Sequence, residues 1–307
     1  MLPTALRRAG VILTVSVLPT LLWAAPEPAI AATAKPPALQ AASEPQLAAA
    51  TSKRRRRRGP PDGVVYSRHA FLYDPVNGEI LFEKGADRSV PIASITKLMT
   101  AMVFLEQNPD LDRLAEVTRE DLYGGGKTQL LRREKVQLRD ILHMALMCSD
   151  NVAARILARE GGLSHEDFLA RMNTKAIEIG LTHSRFVEVT GLDARNVSTA
   201  ADVARLVQAS CNVPTIRHIC QLRSYDFSTR RRAHYIPNTN RMLYSEYEVK
   251  GGKTGYISAA GYCFATWVRK DDRDLIAVVL NAPTAATRFA DVKRMLMRTS
   301  ATTTAAN

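Results

Sequence analysis

Three β-rich runs stand near the end of this 307-residue chain: Glu248–Ile257, Tyr262–Arg269 and Leu275–Leu280. The gaps between them hold little beyond Ala260-Gly261 and Lys270-Asp271-Asp272. A parallel crossover needs a dozen or more residues, so neighbours joined by such gaps are antiparallel. Two earlier runs, Val64–Tyr73 and Glu79–Phe82, flank the turn-forming string Asp74-Pro75-Val76-Asn77-Gly78 and predict a hairpin that opens the domain. Between the two β groups the apolar spacing turns helical. Leu138–Met147 and Asn151–Ala158 are apolar runs, His165–Ile179 repeats at three and four residues, and Ala200–Ala209 continues the pattern. Thr287–Met297 predicts a last helix with Phe289, Val292 and Leu296 on one face. Strands, helices, strands and a helix in that order specify an α+β chain: an antiparallel sheet flanked by helices, with an all-helical subdomain. The first hairpin is expected to rejoin the late strands.

The N-terminal residues have a different character. Arg7 and Arg8 precede a short apolar run from Ala9 to Ala25, and Ala29-Ile30-Ala31 supplies a small-x-small cleavage site. Residues 1–31 therefore read as a secretory signal peptide, with an uncleaved anchor as the competing reading. Residues 32–62 are rich in Ala and Pro and end in the basic run Lys53–Arg58. They bury too little apolar surface to offset ordering entropy and are expected to form a disordered linker. One compact domain over 63–298 and a flexible tail over 299–307 complete the expected organisation, with no C-terminal membrane anchor. The formal net charge is +12, and the Lys53–Arg58 run carries six of those charges. For an exported, extracytoplasmic protein, soluble or loosely envelope-associated, Arg54–Arg58 would make weak electrostatic contact with an anionic envelope rather than with nucleic acid. The four cysteines, Cys148, Cys211, Cys220 and Cys263, fit no zinc-site spacing, and no metal or cofactor is expected. Cys211 and Cys220 are the better-placed pair for a disulfide, while Cys148 and Cys263 read as buried thiols.

Three short strings carry the chemistry: Ser94-Ile95-Thr96-Lys97, Ser149-Asp150-Asn151 and Lys253-Thr254-Gly255. Each is common alone; their order and wide separation give the set its weight. On a helix, residues three apart share a face, so Ser94 and Lys97 present hydroxyl and amine together. A serine hydroxyl attacks well only when a base takes its proton, and lysine is a base only when neutral. Burial and a nearby positive charge, for which Lys253 is the candidate, would keep it so. Ser94 is thus the candidate nucleophile and Lys97 its general base. Ser149 is placed to relay a proton, and Asn151 to bind a substrate amide or steady Lys97. Lys253, Thr254 and Gly255 would grip a terminal carboxylate by charge, hydroxyl and close approach. The backbone N–H groups of Ser94 and Tyr256 would form an oxyanion hole.

Other strings are weaker. Gly124-Gly125-Gly126-Lys127-Thr128 resembles a phosphate loop but has Asp121 where that motif requires glycine, so a flexible hairpin tip is the expectation. His143 lies within an apolar run and reads as a satisfied core histidine. No G-x-S-x-G elbow surrounds any serine.

Taken together, Val64 to Met297 resembles the low-molecular-mass penicillin-binding proteins, serine-type D-alanyl-D-alanine carboxypeptidases and endopeptidases. The similarity extends through Pro91–Thr100, Gly191-Leu192-Asp193, Asn196–Ala200 and Asn238-Thr239-Asn240. The resemblance implies a β-lactamase/DD-peptidase-like fold with a cleft between sheet and helices. It also implies acyl-enzyme cleavage of D-Ala-containing bonds in peptidoglycan stem peptides, and acylation of Ser94 by β-lactams. Ala145-Leu146-Met147 and Gly252–Ile257 are most similar to the endopeptidase branch, but carboxypeptidases share the motifs and both activities stay open. A serine β-lactamase is the alternative; it would need a deacylating carboxylate, for which Glu188 is the residue left open. A domain that binds cell wall without turnover is a third reading, against which intact Ser94, Lys97 and Lys253 argue.

Overall fold

In the computed structural model, residues 63–304 are described. The expected signal peptide and linker lie outside them. The chain opens on β1 (His69–Asp74) and β2 (Glu79–Lys84), then a two-residue strand β3 (Val90–Pro91) and helix α1 (Thr96–Glu106). β4 (Leu114–Glu116), α2 (Arg119–Leu122), β5 (Lys135–Gln137), α3 (Leu138–His143), α4 (Asn151–Glu160) and α5 (His165–Glu178) follow. Then come β6 (Val197–Ser198), α6 (Ala200–Asn212), α7 (Pro214–Gln221), β7 (Ser224–Ser228) and β8 (Ala233–Pro237). β9 (Glu248–Ile257), β10 (Gly261–Lys270), β11 (Arg273–Ala282) and α8 (Ala285–Thr304) close the fold.

The main sheet has the order β2-β1-β11-β10-β9 with every pairing antiparallel. The opening hairpin rejoins the late strands as expected, with Phe71 opposite Val278. Both faces of the sheet are covered, which explains the unbroken apolar run Leu275–Leu280. Ile276, Val278 and Leu280 face the large core shared with the helical cluster. Leu275, Ala277 and Val279 face Phe289, Val292, Met295 and Leu296 of α8. A strand with successive side chains on opposite buried faces has no polar positions to alternate. α8 continues through 299–304, residues expected as tail. Among the described residues no helix is long and apolar enough to cross a membrane.

Two sequence expectations change. Cys211 and Cys220 are free thiols. They sit buried on consecutive helices, α6 and α7, where each packs against the glycine pair Gly251-Gly252 of β9. The Gly124–Thr128 string lies within the long connection between the paired strands β4 and β5, but Gly125 is buried rather than at a free tip. His143 is half-buried: its Nδ1 meets the Arg139 carbonyl at 2.7 Å and its ring stacks on Tyr225 at 3.7 Å.

The hairpin turn is held by Asp74, which is 1% exposed. Val76 N, Asn77 N and Asn77 Nδ2 each donate to its carboxylate at 3.0 Å, and Arg273 NH2 donates at 2.8 Å. Burial alone would raise this carboxyl; the donors outweigh it and hold the pKa at about 2, against 3.8. A depressed carboxyl stabilises the fold above its unfolded pKa, and the contribution is lost as pH falls from about 4 to about 2. Asp74→Asn is expected to cost about 2 kcal/mol at neutral pH, a fall in Tm of about 4–8 °C. Thermal melts should show that gap closing as pH falls through the same window.

Candidate active site

Ser94 sits in a one-turn 3-10 segment, Ala93–Ile95, that leads into α1. Ala93 before it has φ +49°, a conformation costly for a residue with a Cβ. Neighbours hold it there. Thr96 Oγ1 donates to the Ala93 carbonyl at 2.8 Å, and Asn196 Nδ2 donates to Thr96 Oγ1 at 3.2 Å. Gly191, at φ +84°, lies flat against the turn, so close that a Cβ there would overlap the Ala93 carbonyl and stand 2.8 Å from Ser94 N.

α1 carries Lys97 one turn on, 1% exposed beneath Ser94. Its Nζ has three oxygen neighbours: Thr190 O at 2.6 Å, Asn151 Oδ1 at 2.7 Å and Ser94 Oγ at 3.0 Å. A backbone carbonyl can only accept. The Asn151 oxygen is fixed as well, because Asn151 Nδ2 donates to the Gly125 carbonyl at 2.9 Å. Two of the three partners are therefore obligate acceptors, and a neutral amine has two N–H groups for them. In that neutral form its lone pair would face the one partner able to donate, the Ser94 hydroxyl. Burial, and then the Lys253 charge, push the Lys97 pKa well below the ordinary lysine value. The three oxygens also suit an ammonium, so it is burial and the Lys253 charge that favour the neutral form.

The apolar run ahead of Ser149 ends in a π-helical turn, Met144–Cys148, and Ser149 takes a left-handed conformation at φ +67°. Asp150 restarts the chain as N-cap of α4, its side chain accepting from Ala153 N at 3.0 Å. Ser149 and Asn151 lie at this break between helices, Ser149 against Lys253 and Asn151 against Lys97. Lys253 Nζ donates to Ser149 Oγ at 2.7 Å and to the Thr254 carbonyl at 3.0 Å. Lys253 is 1% exposed, and burial lowers its pKa to about 8.

β9 is the terminal strand of the sheet, so one of its edges is unpaired. On this strand Tyr256 comes directly after Gly255 and stands opposite Tyr262 of β10. Gly255 has its backbone against the Ser94 turn: a Cβ there would stand 3.0 Å from Ser94 N. Thr254 Oγ1 meets Thr239 Oγ1 at 2.7 Å, and Thr239 N donates to the Met147 carbonyl at 3.0 Å. Asn238-Thr239-Asn240 thereby ties the Lys253 strand to the Ser149 turn.

The sequence strings omit several contributors. Thr190 acts through its carbonyl, which leaves no side-chain signal, and Gly125 does likewise toward Asn151. Glu188 holds the Thr190 loop: its Oε2 accepts from Thr190 N at 2.7 Å and Thr190 Oγ1 at 2.6 Å, and its Oε1 accepts from Gly191 N and Asn196 Nδ2. Both oxygens are engaged in the loop, which is not the arrangement of a free deacylating base. Arg288 is the other omission. From α8 its NH1 donates to the Gly255 carbonyl at 3.2 Å, while its buried Nε has no partner. It adds a second cation to the strand that carries Lys253. A lone arginine on a terminal helix gives no motif to read.

A family profile described as D-alanyl-D-alanine carboxypeptidase matches residues 56–284. The chain is 34% identical over 194 residues to the D-alanyl-D-alanine endopeptidase of Haemophilus influenzae, covering 62% of this chain and 66% of that one. It is 33% identical over 237 residues to the D-alanyl-D-alanine endopeptidase of Escherichia coli, covering 75% and 76%. Penicillin-binding protein D2 of Listeria monocytogenes, solved in an ampicillin-bound form, aligns with a TM-score of 0.66 at 30% identity, covering 78% of this chain and 98% of that one. With the sheet, the helical cluster and the Ser94–Lys97 pair in place, the chain belongs to the D-alanyl-D-alanine carboxypeptidase family of serine-type DD-peptidases.

Proposed function

We propose that this DD-peptidase works through an acyl-enzyme on Ser94 and that its preferred substrate is the D-Ala cross-link between peptidoglycan stem peptides. The contact of Ser94 Oγ with a buried Lys97 amine whose pKa is lowered carries the chemical part of the reading. The Lys97 lone pair takes the Ser94 proton as Oγ attacks the D-Ala carbonyl, and the resulting oxyanion sits between Ser94 N–H and Tyr256 N–H. Collapse expels the leaving amine, which receives its proton through Ser149; water then releases the acyl group. Lys253, with Thr254, Gly255 and Arg288, holds the carboxylate end of the substrate, while Asn151 fixes Lys97. β-Lactams acylate the same serine and stall there. An extracytoplasmic location follows from a peptidoglycan substrate.

The cross-link preference is supported by the endopeptidase names of the Haemophilus and Escherichia relatives. Its test is direct. The purified protein is incubated with a monomeric pentapeptide muropeptide and, separately, with a cross-linked dimer. Faster consumption of the dimer is expected. Release of free D-Ala from the monomer as the faster reaction would make the protein a carboxypeptidase.

The two lysines also set a pH profile. Lys97 must be neutral to act as base, so acylation rises with pH through its lowered pKa. Lys253 must be charged to hold a carboxylate, so the rate falls as pH rises through about 8. The second-order acylation rate should trace a bell whose falling limb lies near pH 8 rather than near 10.5, and Lys253→Gln should remove that limb.

A further inference from the structure

Two turns that lie away from Ser94 and Lys97 carry six exposed cations between them: Arg132 and Arg133 at the end of the β4–β5 connection with Lys135 at the start of β5, and Arg230, Arg231 and Arg232 at the β7–β8 tip. The turns are clasped together. Arg231 NH1 donates to the Arg132 carbonyl at 2.9 Å, and Thr229 Oγ1 donates to Glu134 Oε1 at 2.6 Å. Buried His234 meets the same carboxylate oxygen at 2.9 Å. Glu134, between Arg133 and Lys135, is thus wholly buried and engaged. Exposed Glu116 stands opposite Lys135 in the β4–β5 pairing without an ion pair to it. Elsewhere some arginines are paired, as in Arg113 with Glu160, Arg171 with Glu106 and Arg273 with Glu79. Exposed Arg68, Arg88, Arg185 and Arg241 stand singly; what marks the two turns is that six cations lie together. No ion pair to a described acid is formed by any of these six. A recess of about 410 Å³ opens between the turns, with Lys135 and Arg230 on its walls and Asp140 at its base, where Tyr225 OH donates to the Asp140 carboxylate at 2.7 Å.

Both turns lead into the active site. From Arg232 the chain runs through β8 and on to Thr239, which joins Met147 and Thr254. At about 3.3 Å per residue, that path is no longer than about 23 Å. The β4–β5 connection carries Gly125, whose carbonyl fixes Asn151. A fold stabilised at neutral pH does not gain from six like charges brought together; self-repulsion opposes it. We infer that this patch is a docking surface for the carboxylate-bearing stem peptides of the peptidoglycan network, holding a polymer strand that extends beyond the bond being cut. Arginine forks match carboxylates bidentately, and five of the six cations are arginine. The turn tips lack the cluster of apolar side chains that would insert into a lipid surface; Leu131 is the exposed apolar residue among them. The inference rests on the peptidoglycan reading of the active site.

The test compares the protein with a fourfold variant, Arg133→Gln, Lys135→Gln, Arg230→Gln and Arg232→Gln, which spares the Arg231–Arg132 clasp. Three readouts are needed: co-sedimentation with purified insoluble sacculi, co-sedimentation with phosphatidylglycerol vesicles, and turnover of a small soluble D-Ala-D-Ala peptide. Because the four side chains are exposed, melting should be unchanged. The variant is expected to bind sacculi at least tenfold more weakly at low salt, a difference erased at 0.5 M NaCl, with soluble turnover within twofold of the parent. Unchanged sacculus binding would overturn the inference, and so would a loss confined to vesicle binding. Loss of soluble turnover in the parent itself would instead count against the catalytic reading.

Discussion

Lys97→Arg is expected to slow acylation by a fluorescent penicillin by about 10³–10⁴-fold while leaving a folded protein. The guanidinium can still donate to the Thr190 carbonyl and Asn151 Oδ1, the two obligate acceptors of the native amine. What it lacks is a lone pair, since arginine stays charged at any pH a protein survives. The substitution therefore removes the base and retains cationic donors in its place. Ser94→Ala provides the reference, with no adduct at any time. Stopped-flow acylation checks the first and intact-mass spectrometry the second. An arginine variant that acylates within tenfold of the parent would assign the proton transfer to another group.

Gly191→Ala should be nearly as severe, although residue 191 bears no functional group. The added Cβ overlaps the Ala93 backbone, in a region of φ where side chains are already disfavoured. Either the 188–193 loop withdraws, taking the Thr190 carbonyl from Lys97, or the Ser94 turn shifts away from Gly255. A misplacement of about 1 Å at a reacting atom can cost about 10²-fold in rate. We therefore expect a loss of at least about 100-fold in acylation, with destabilisation of about 2–4 kcal/mol. Chemical denaturation and acylation kinetics on one preparation check both. A Gly191→Ala protein with parental rate and stability would contradict the close packing of these two segments.

The parts of this protein that sequence exposes are those whose physics is local. β9 occupies the run read for it, Glu248–Ile257, because strand pattern and flanking turns both lie within a few residues. Ser94 with Lys97 is legible because three residues of helix place them together, and Ser149 with Asn151 because a left-handed residue and an N-cap make a turn. The contributors missed act across long separations through the backbone. Thr190 O reaches Lys97 from 93 residues away, and Gly125 O reaches Asn151 from 26. Nothing in a threonine or a glycine announces that its carbonyl will be needed. The cysteines fail differently: spacing makes Cys211 and Cys220 look like a loop closure, whereas they fill space beside Gly251 and Gly252 as thiols. Arg288 lies outside every motif because the strand it braces, not its own neighbours, defines its place.

The neutrality of Lys97 is the point on which the mechanism turns, and it can be observed without substrate. In protein carrying ¹³C-labelled lysine, the Cε shift of each lysine is followed against pH and Lys97 is assigned by its loss in Lys97→Arg. Burial and the Lys253 charge should make that signal titrate far below 10.5, with Lys253 titrating near 8. A Lys97 signal that stays protonated until pH 10 would contradict its assignment as the base for Ser94.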